Sequence, residues 1–247
     1  MGVRNRLWEV DFARGFAVLL MLVFNWLFAL HYFGLLSGFD TSQGFWWFFA
    51  RITAGLFVFI AGISLHLSFN KSFGVRWFAK RALKLFSLGL LATFATLLFL
   101  KDGFVVFGIL HFLGVATLLA FPLLRLNARI ISVFAMAVLA AGFFLSQMSF
   151  GFPWLLWLGF VPSGFYSVDY FPLLPWFSLV LLGIAFGKKF YPASKRAFGI
   201  SESGGKLAGV FCFLGRHSLA VYLLHQPFWI AVLYFSGLNP LGLPVIS

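Results

Sequence analysis

The sequence predicts an all-α, polytopic integral membrane helical bundle of about seven transmembrane helices, with the N-terminus in the cytoplasm and the C-terminus outside. Three observations carry that reading. The 247 residues are 62% hydrophobic and 10% charged, with 37 Phe, 9 Trp and a mean hydropathy of +1.00. A water-soluble domain cannot hide so much apolar surface, so lipid is the solvent for most of the chain. Apolar runs near the ~20 residues needed to cross a bilayer recur along it. Finally, sixteen of the eighteen Lys and Arg fall on one side when the loops are followed from an inside N-terminus.

The spans follow in order. Arg4, Arg6 and Arg14 precede or open the first, Phe12 to Tyr32. The second runs outside to inside, Phe45 to Leu67, and Lys71, Arg76, Lys80, Arg81 and Lys84 crowd the turn into the third, Ala79 to Leu100. The fourth, Phe104 to Leu124, returns inward to Arg125 and Arg129, where the fifth, Arg129 to Phe150, begins. Lys188, Lys189, Lys195, Arg196, Lys206 and Arg216 lie between the sixth, Tyr170 to Gly187, and the seventh, Leu214 to Phe235. Only Arg51 and Lys101 remain on the outer half, and the tail from Ser236 to Ser247 carries no charge. Phe152 to Val161 is apolar too, but ten residues of helix reach only about 15 Å. Pro153, Pro162 and Gly164 bracket it, so it reads as a short outer re-entrant or interfacial segment, or a lid. Counting it as a span would move the Lys188 to Lys206 cluster outside.

Several function classes fall away. The formal net charge of +12 follows from basic inner loops facing anionic lipid, and no nucleic-acid motif accompanies it. Cys212 is the one cysteine, so neither an intramolecular disulfide nor a Cys-rich metal site is available, and no metal is expected. The first apolar run is too long for a signal core and reads as a retained span. No repeat or low-complexity stretch divides the chain, which is expected to form a single membrane domain over residues 1–247.

Polar groups at membrane depth are costly and therefore candidates for function. Asp11, Arg14, Val18 and Asn25 lie near one stripe of the first span: Arg14 and Asn25 differ by about 20° in phase and about 16 Å along the axis. An Asp11–Arg14 ion pair with Asn25 as interhelical glue would explain the stripe without function. His31 follows toward the outer end, about 120° away from Asn25. Ser218, Tyr222 and His225 form a second polar stripe in the last span, with Pro227 able to kink it. Arg51 either snorkels outward, pairs with Asp40 or Asp169, or holds an anion. His66, near the inner end of its span, reads as an interface residue. With His111, the series Asn25, His31, Arg51, His111 and His225 suits a path through the membrane.

The run Trp8-Glu9-Val10-Asp11-Phe12-Ala13-Arg14-Gly15, leading into a span with Asn25, resembles the signature of the heparan-α-glucosaminide N-acetyltransferase catalytic domain family of membrane acyltransferases. Four further blocks resemble it in order. They are Arg51 to Ser64, Gly108-Ile109-Leu110-His111-Phe112-Leu113-Gly114, Tyr166 to Trp176 with Asp169, and Leu214 to Pro227 with Arg216 and His225. The resemblance implies acetyl transfer from cytoplasmic acetyl-CoA to an acceptor on the far side. The lysosomal enzyme has an Asn followed by a catalytic His; this chain has Asn25 and then His31 at a shorter spacing. That implies His31 as general base and Asn25 as orienting or oxyanion donor, with His225 the alternative base.

The residue chemistry agrees. Acyl transfer needs a base near neutrality and a donor for the developing oxyanion. Phosphates of CoA need basic partners, and Arg14, Arg81, Lys84 and Arg216 lie in the right compartment; Asp11, Arg51, His111 and Asp169 complete the polar path. Acetyl-CoA enters as a co-substrate, with no tightly bound cofactor. The expected setting is a prokaryotic cytoplasmic membrane, and the expected partners are the lipid bilayer and an amine or hydroxyl acceptor such as a glycan or glycolipid. A homo-oligomer is compatible with this, and nucleic acid is not a partner. A multi-pass transporter or flippase would use the same polar series without covalent chemistry, and a membrane scaffold would need no such series.

Overall fold

The structure, a computed structural model, describes residues 7–41, 43–71, 73–100, 103–200 and 205–238. Arg4, Arg6, Lys101 and the uncharged tail beyond residue 238 lie outside the described residues. Within them the chain is helical and holds no named strand: α1 Trp8–Tyr32, α2 Gly44–Asn70, α3 Val75–Phe99, α4 Ile109–Leu123, α5 Ala128–Leu145, α6 Leu173–Phe190, α7 Lys206–Arg216 and α8 Ser218–Leu233. Six helices are long and apolar enough to cross a membrane: α1, α2, α3, α5, α6 and the segment Ser218–Ser236 that contains α8. The fourth, α4, is equally apolar but only 15 residues long.

The chain forms two compact units, one of residues 1–60 with 200–247 and one of residues 61–199. In the first, α1 packs against α7 and α8. Glycine makes the α1–α7 crossing possible. A Cβ on Gly15 would run into the Phe211 carbonyl of α7, and one on Gly215 into the Asp11 carbonyl of α1. With no side chain at either position, the two backbones meet directly. Around the crossing, Phe12 and Phe16 lie against Phe211 with ring centroids 4.9 and 6.1 Å apart, and the Cys212 thiol donates to the Trp8 carbonyl at 3.4 Å.

The expected seventh span, Leu214 to Phe235, corresponds to the candidate span Ser218–Ser236, with only its first three residues in α7. The chain breaks at His217 (φ −105°, ψ 16°), because α7 must turn to lay Ala208, Phe211, Cys212 and Gly215 across the start of α1. Pro227 lies inside α8.

In the second unit, α3 and α4 run antiparallel. Phe78 meets Phe121, Phe86 meets Gly114, and Gly89 meets His111. α5 lies along α6, with Gly142 making room for Pro175. Phe78, Phe112, Leu124, Ile131, Leu181 and Ile184 form a core less than 2% exposed. The Lys188 ammonium donates to the Leu124 carbonyl at 2.8 Å, satisfying the end of α4.

The loop between α5 and α6 is tied by backbone hydrogen bonds to the start of α6. Phe152 to Val161 forms a succession of turns with no helix. Two of its carbonyls take the first free N–H groups of α6: Leu173 N–H donates to Trp157 at 2.9 Å and Leu174 N–H to Leu158 at 3.0 Å. The segment serves as a backbone cap for α6. The same region explains why α4 starts at Ile109 rather than near Phe104. Residues 103–107 form no helix, and the Gly103 and Phe107 carbonyls accept from the Val168 and Phe171 N–H groups.

Candidate active site

The stripe predicted on α1 meets the broken α7–α8 segment at both of its polar levels. At the first level, the Arg14 guanidinium lies 3.1 Å from the Asp11 carboxylate and donates to the Gly215 carbonyl at 3.3 Å. Asp11 is 8% exposed. A buried carboxylate needs such a partner, and a cation at the last carbonyls of α7 complements that helix's dipole. Val18, one turn further, is fully buried.

At the second level, Asn25 and His225 are joined. The Asn25 amide nitrogen is 2.9 Å from His225 Nε2, and His225 is 7% exposed. The other ring nitrogen, Nδ1, lies within hydrogen-bond distance of the Tyr222 carbonyl. A carbonyl only accepts, so Nδ1 carries the proton and Nε2 presents its lone pair to the Asn25 N–H. Tyr222 also lies against the imidazole, ring centroids 5.6 Å apart. The result is a neutral histidine held in one tautomer, its basic nitrogen facing an amide.

An aromatic pair sits beside it. Trp26 follows Asn25 in sequence and Trp229 is one turn beyond His225; their ring centroids are 4.2 Å apart. The Trp229 indole N–H is buried without a hydrogen-bond partner among the described residues. A buried donor left open costs free energy unless a ligand accepts it. The sequence signal for this pair is that Trp26 adjoins Asn25 and Trp229 lies four residues beyond His225.

The other candidates go elsewhere. His31 is exposed at the end of α1, its Nδ1 3.1 Å from the Leu36 carbonyl and its ring 5.8 Å from that of Phe39, so it is not brought to Asn25. Arg51 is exposed, its guanidinium 3.8 Å above the Trp47 ring, a cation–π contact. Arg216 is exposed and donates to the Cys212 carbonyl at 3.1 Å.

In the second unit, His111 is 2% exposed, between Phe86 and Phe107, with Nδ1 against Gly89 and no partner among the described residues. Asp169 accepts from the Ile109 N–H at 3.2 Å, capping α4. Arg81 lies 5.5 Å over Trp77, and Lys84, one turn further along α3, is exposed. His66 is also in this unit: it is 4% exposed, with Nε2 3.2 Å from the Tyr191 carbonyl and 3.1 Å from the Asn70 amide.

The arrangement around Asn25 holds what acyl transfer to a nucleophile needs: a neutral imidazole with a free lone pair, and an amide donor beside it. Comparison with curated proteins and with solved structures finds no match. The family model described as heparan-alpha-glucosaminide N-acetyltransferase, catalytic, matches residues 6–227, a stretch that contains Asp11, Arg14, Asn25 and His225. The chain therefore belongs to that family of membrane acetyltransferases.

Proposed function

We propose that the chain moves an acetyl group from cytoplasmic acetyl-CoA to an amine or hydroxyl acceptor of sugar-like type, a glycan or glycolipid, reaching it from the outer side. The Asn25–His225 contact at 2.9 Å, in a chain of an acetyltransferase family, is the observation that carries the reading. The N–H or O–H of the acceptor replaces the Asn25 N–H on His225 Nε2. That nitrogen takes the proton as the acceptor atom attacks the thioester carbonyl. The amide so released donates to the developing oxyanion. Collapse breaks the C–S bond, and the imidazolium returns its proton to the leaving thiolate. The products are the acetylated acceptor and CoA, with neutral His225 restored.

The contact with Asn25 favours His225 as the base. His31, exposed at the end of α1, is then placed to receive the acceptor. Arg14 and Arg216 supply positive charge at the inner end of the same unit for the phosphates of CoA. The open Trp229 N–H offers a further donor for a bound oxygen.

The activity is tested by incubating purified protein with acetyl-labelled CoA and with sugar or lipid extracts. Label is expected in an acceptor fraction, with free CoA released in equal amount. Transport of a substrate without consumption of acetyl-CoA would favour a carrier and remove the covalent step.

The scheme also needs the N-terminus and the basic loops in the cytoplasm, as expected for a prokaryotic cytoplasmic membrane. Single cysteines at Lys71 and Lys195, in a Cys212→Ser background, are expected to react only with reagent reaching the cytoplasm, and one at Ser236 only from outside. Lys195 and Ser236 labelled from the same side would overturn the orientation.

A further inference from the structure

The α3 helix carries charges that neither helix stability nor topology requires in the pattern found. Arg76, Lys80 and Lys84 recur every fourth residue and all three are exposed. At 100° per residue they drift only about 80° around the helix while climbing about 12 Å. The buried residues of α3 (Phe78, Ala82, Leu85 and Gly89) lie on the opposite side. Beyond the cations the same outward face is apolar: Leu83 is 68% exposed, Leu90 53%, Leu91 60%, Phe94 59% and Leu98 61%.

Two physical points single this face out. The positive-inside rule counts charges near a membrane edge and is indifferent to their phase on a helix, so it does not ask for three cations in one ladder. Cations in the first turns of a helix also oppose its dipole. Here Gly74 provides no side-chain cap and the first turn of α3 holds no acid. An anion at this end would offset both costs.

We propose that this face of α3 binds an acidic phospholipid. The headgroup phosphate would sit among Arg76, Lys80 and Lys84, and the acyl chains would lie along Leu83, Leu90, Leu91 and Phe94. The match is to an amphiphile: cations and apolar surface are continuous on one helix face, in the order in which headgroup and chains meet a membrane. Three aligned basic side chains attract an anionic headgroup far more strongly than a zwitterionic one. Lys84, lying deepest, reaches the phosphate by snorkelling along its own stem.

The test uses the intact purified protein in detergent, with retained lipid counted by native mass spectrometry. Phosphatidylglycerol is expected to stay bound where phosphatidylcholine does not. The triple variant Arg76→Gln, Lys80→Gln, Lys84→Gln should lose retention by about tenfold or more, in line with the contribution of each basic residue to anionic lipid binding. The variant Lys189→Gln, Lys195→Gln, Lys206→Gln, with the same change in net charge, should keep it. Equal losses in both variants would reduce the effect to bulk charge and overturn the site. Displacement of the lipid by free CoA would assign the ladder to the nucleotide and overturn it as well. If the first triple variant does not fold, wild-type protein is exposed to phosphatidylglycerol carrying a photoreactive acyl chain. Labelled peptides are then expected to cover residues 83–98, and labelling spread evenly over the exposed helices would refute the proposal.

Discussion

Replacing His225 by Ala is expected to abolish acetyl transfer while leaving acetyl-CoA binding nearly unchanged. The imidazole is 7% exposed, its Nδ1 is committed to the Tyr222 carbonyl and its Nε2 faces Asn25 at 2.9 Å. In the proposed mechanism it serves as a base held in one tautomer rather than as a binding contact. Removal of a general base slows a reaction by roughly 10²- to 10⁴-fold, so single-turnover transfer should fall by that factor at saturating donor. Asn25→Ala should fall comparably through loss of the oxyanion donor, since one such donor is worth about 10²- to 10³-fold. His31→Ala, remote from the pair, should chiefly raise the acceptor concentration needed. Full turnover by His225→Ala together with complete loss in His31→Ala would exchange the two roles. Activity in all three variants would end the mechanism.

The second large effect is expected at the α1–α7 crossing. Gly15→Ala places a methyl group into the Phe211 carbonyl, and Gly215→Ala places one into that of Asp11. Backbone atoms cannot swing aside as a side chain can, so the helices must separate along their length. Overpacking of this kind costs about 1–3 kcal/mol. It would also draw the Gly215 carbonyl away from Arg14, now 3.3 Å distant. Gly209→Ala, in the same helix with open space around it, should be neutral or mildly stabilising, because Ala favours helix over Gly by up to about 1 kcal/mol. Thermal unfolding of the three purified variants in one detergent checks the order. Equal melting temperatures for Gly15→Ala and Gly209→Ala would show that the crossing is looser than drawn.

The lipid-spanning character of this chain was legible from residue chemistry alone. Long apolar runs have one stable solution in a bilayer, a helix whose backbone groups are satisfied internally. Hence helices α1 to α6 and α8 lie where the apolar runs predict them. The α1 stripe was legible for the same reason: helical phase is a property of the local sequence, so Arg14 and Asn25 had to share a face. What lay beyond local periodicity was missed. The segment between residues 152 and 161 reads as a short re-entrant or interfacial stretch, and only the fold shows that its carbonyls are spent on the first turn of α6. Asp169 reads as a member of a polar path, yet it caps α4.

The partner of Asn25 was a matter for tertiary structure alone. His31 is six residues away and His225 two hundred, and the family resemblance, an Asn followed by a His, favoured His31. Helical phase already turned His31 aside, but nothing local could bring α8 to α1. That needed Gly15 and Gly215, two residues with no chemistry of their own, to let α7 cross α1 at backbone contact and start α8 beside it. Hydropathy and charge are sums over a segment and so belong to the sequence. A catalytic pair is a distance between segments, set by which surfaces pack, and packing is decided only when the whole chain has folded.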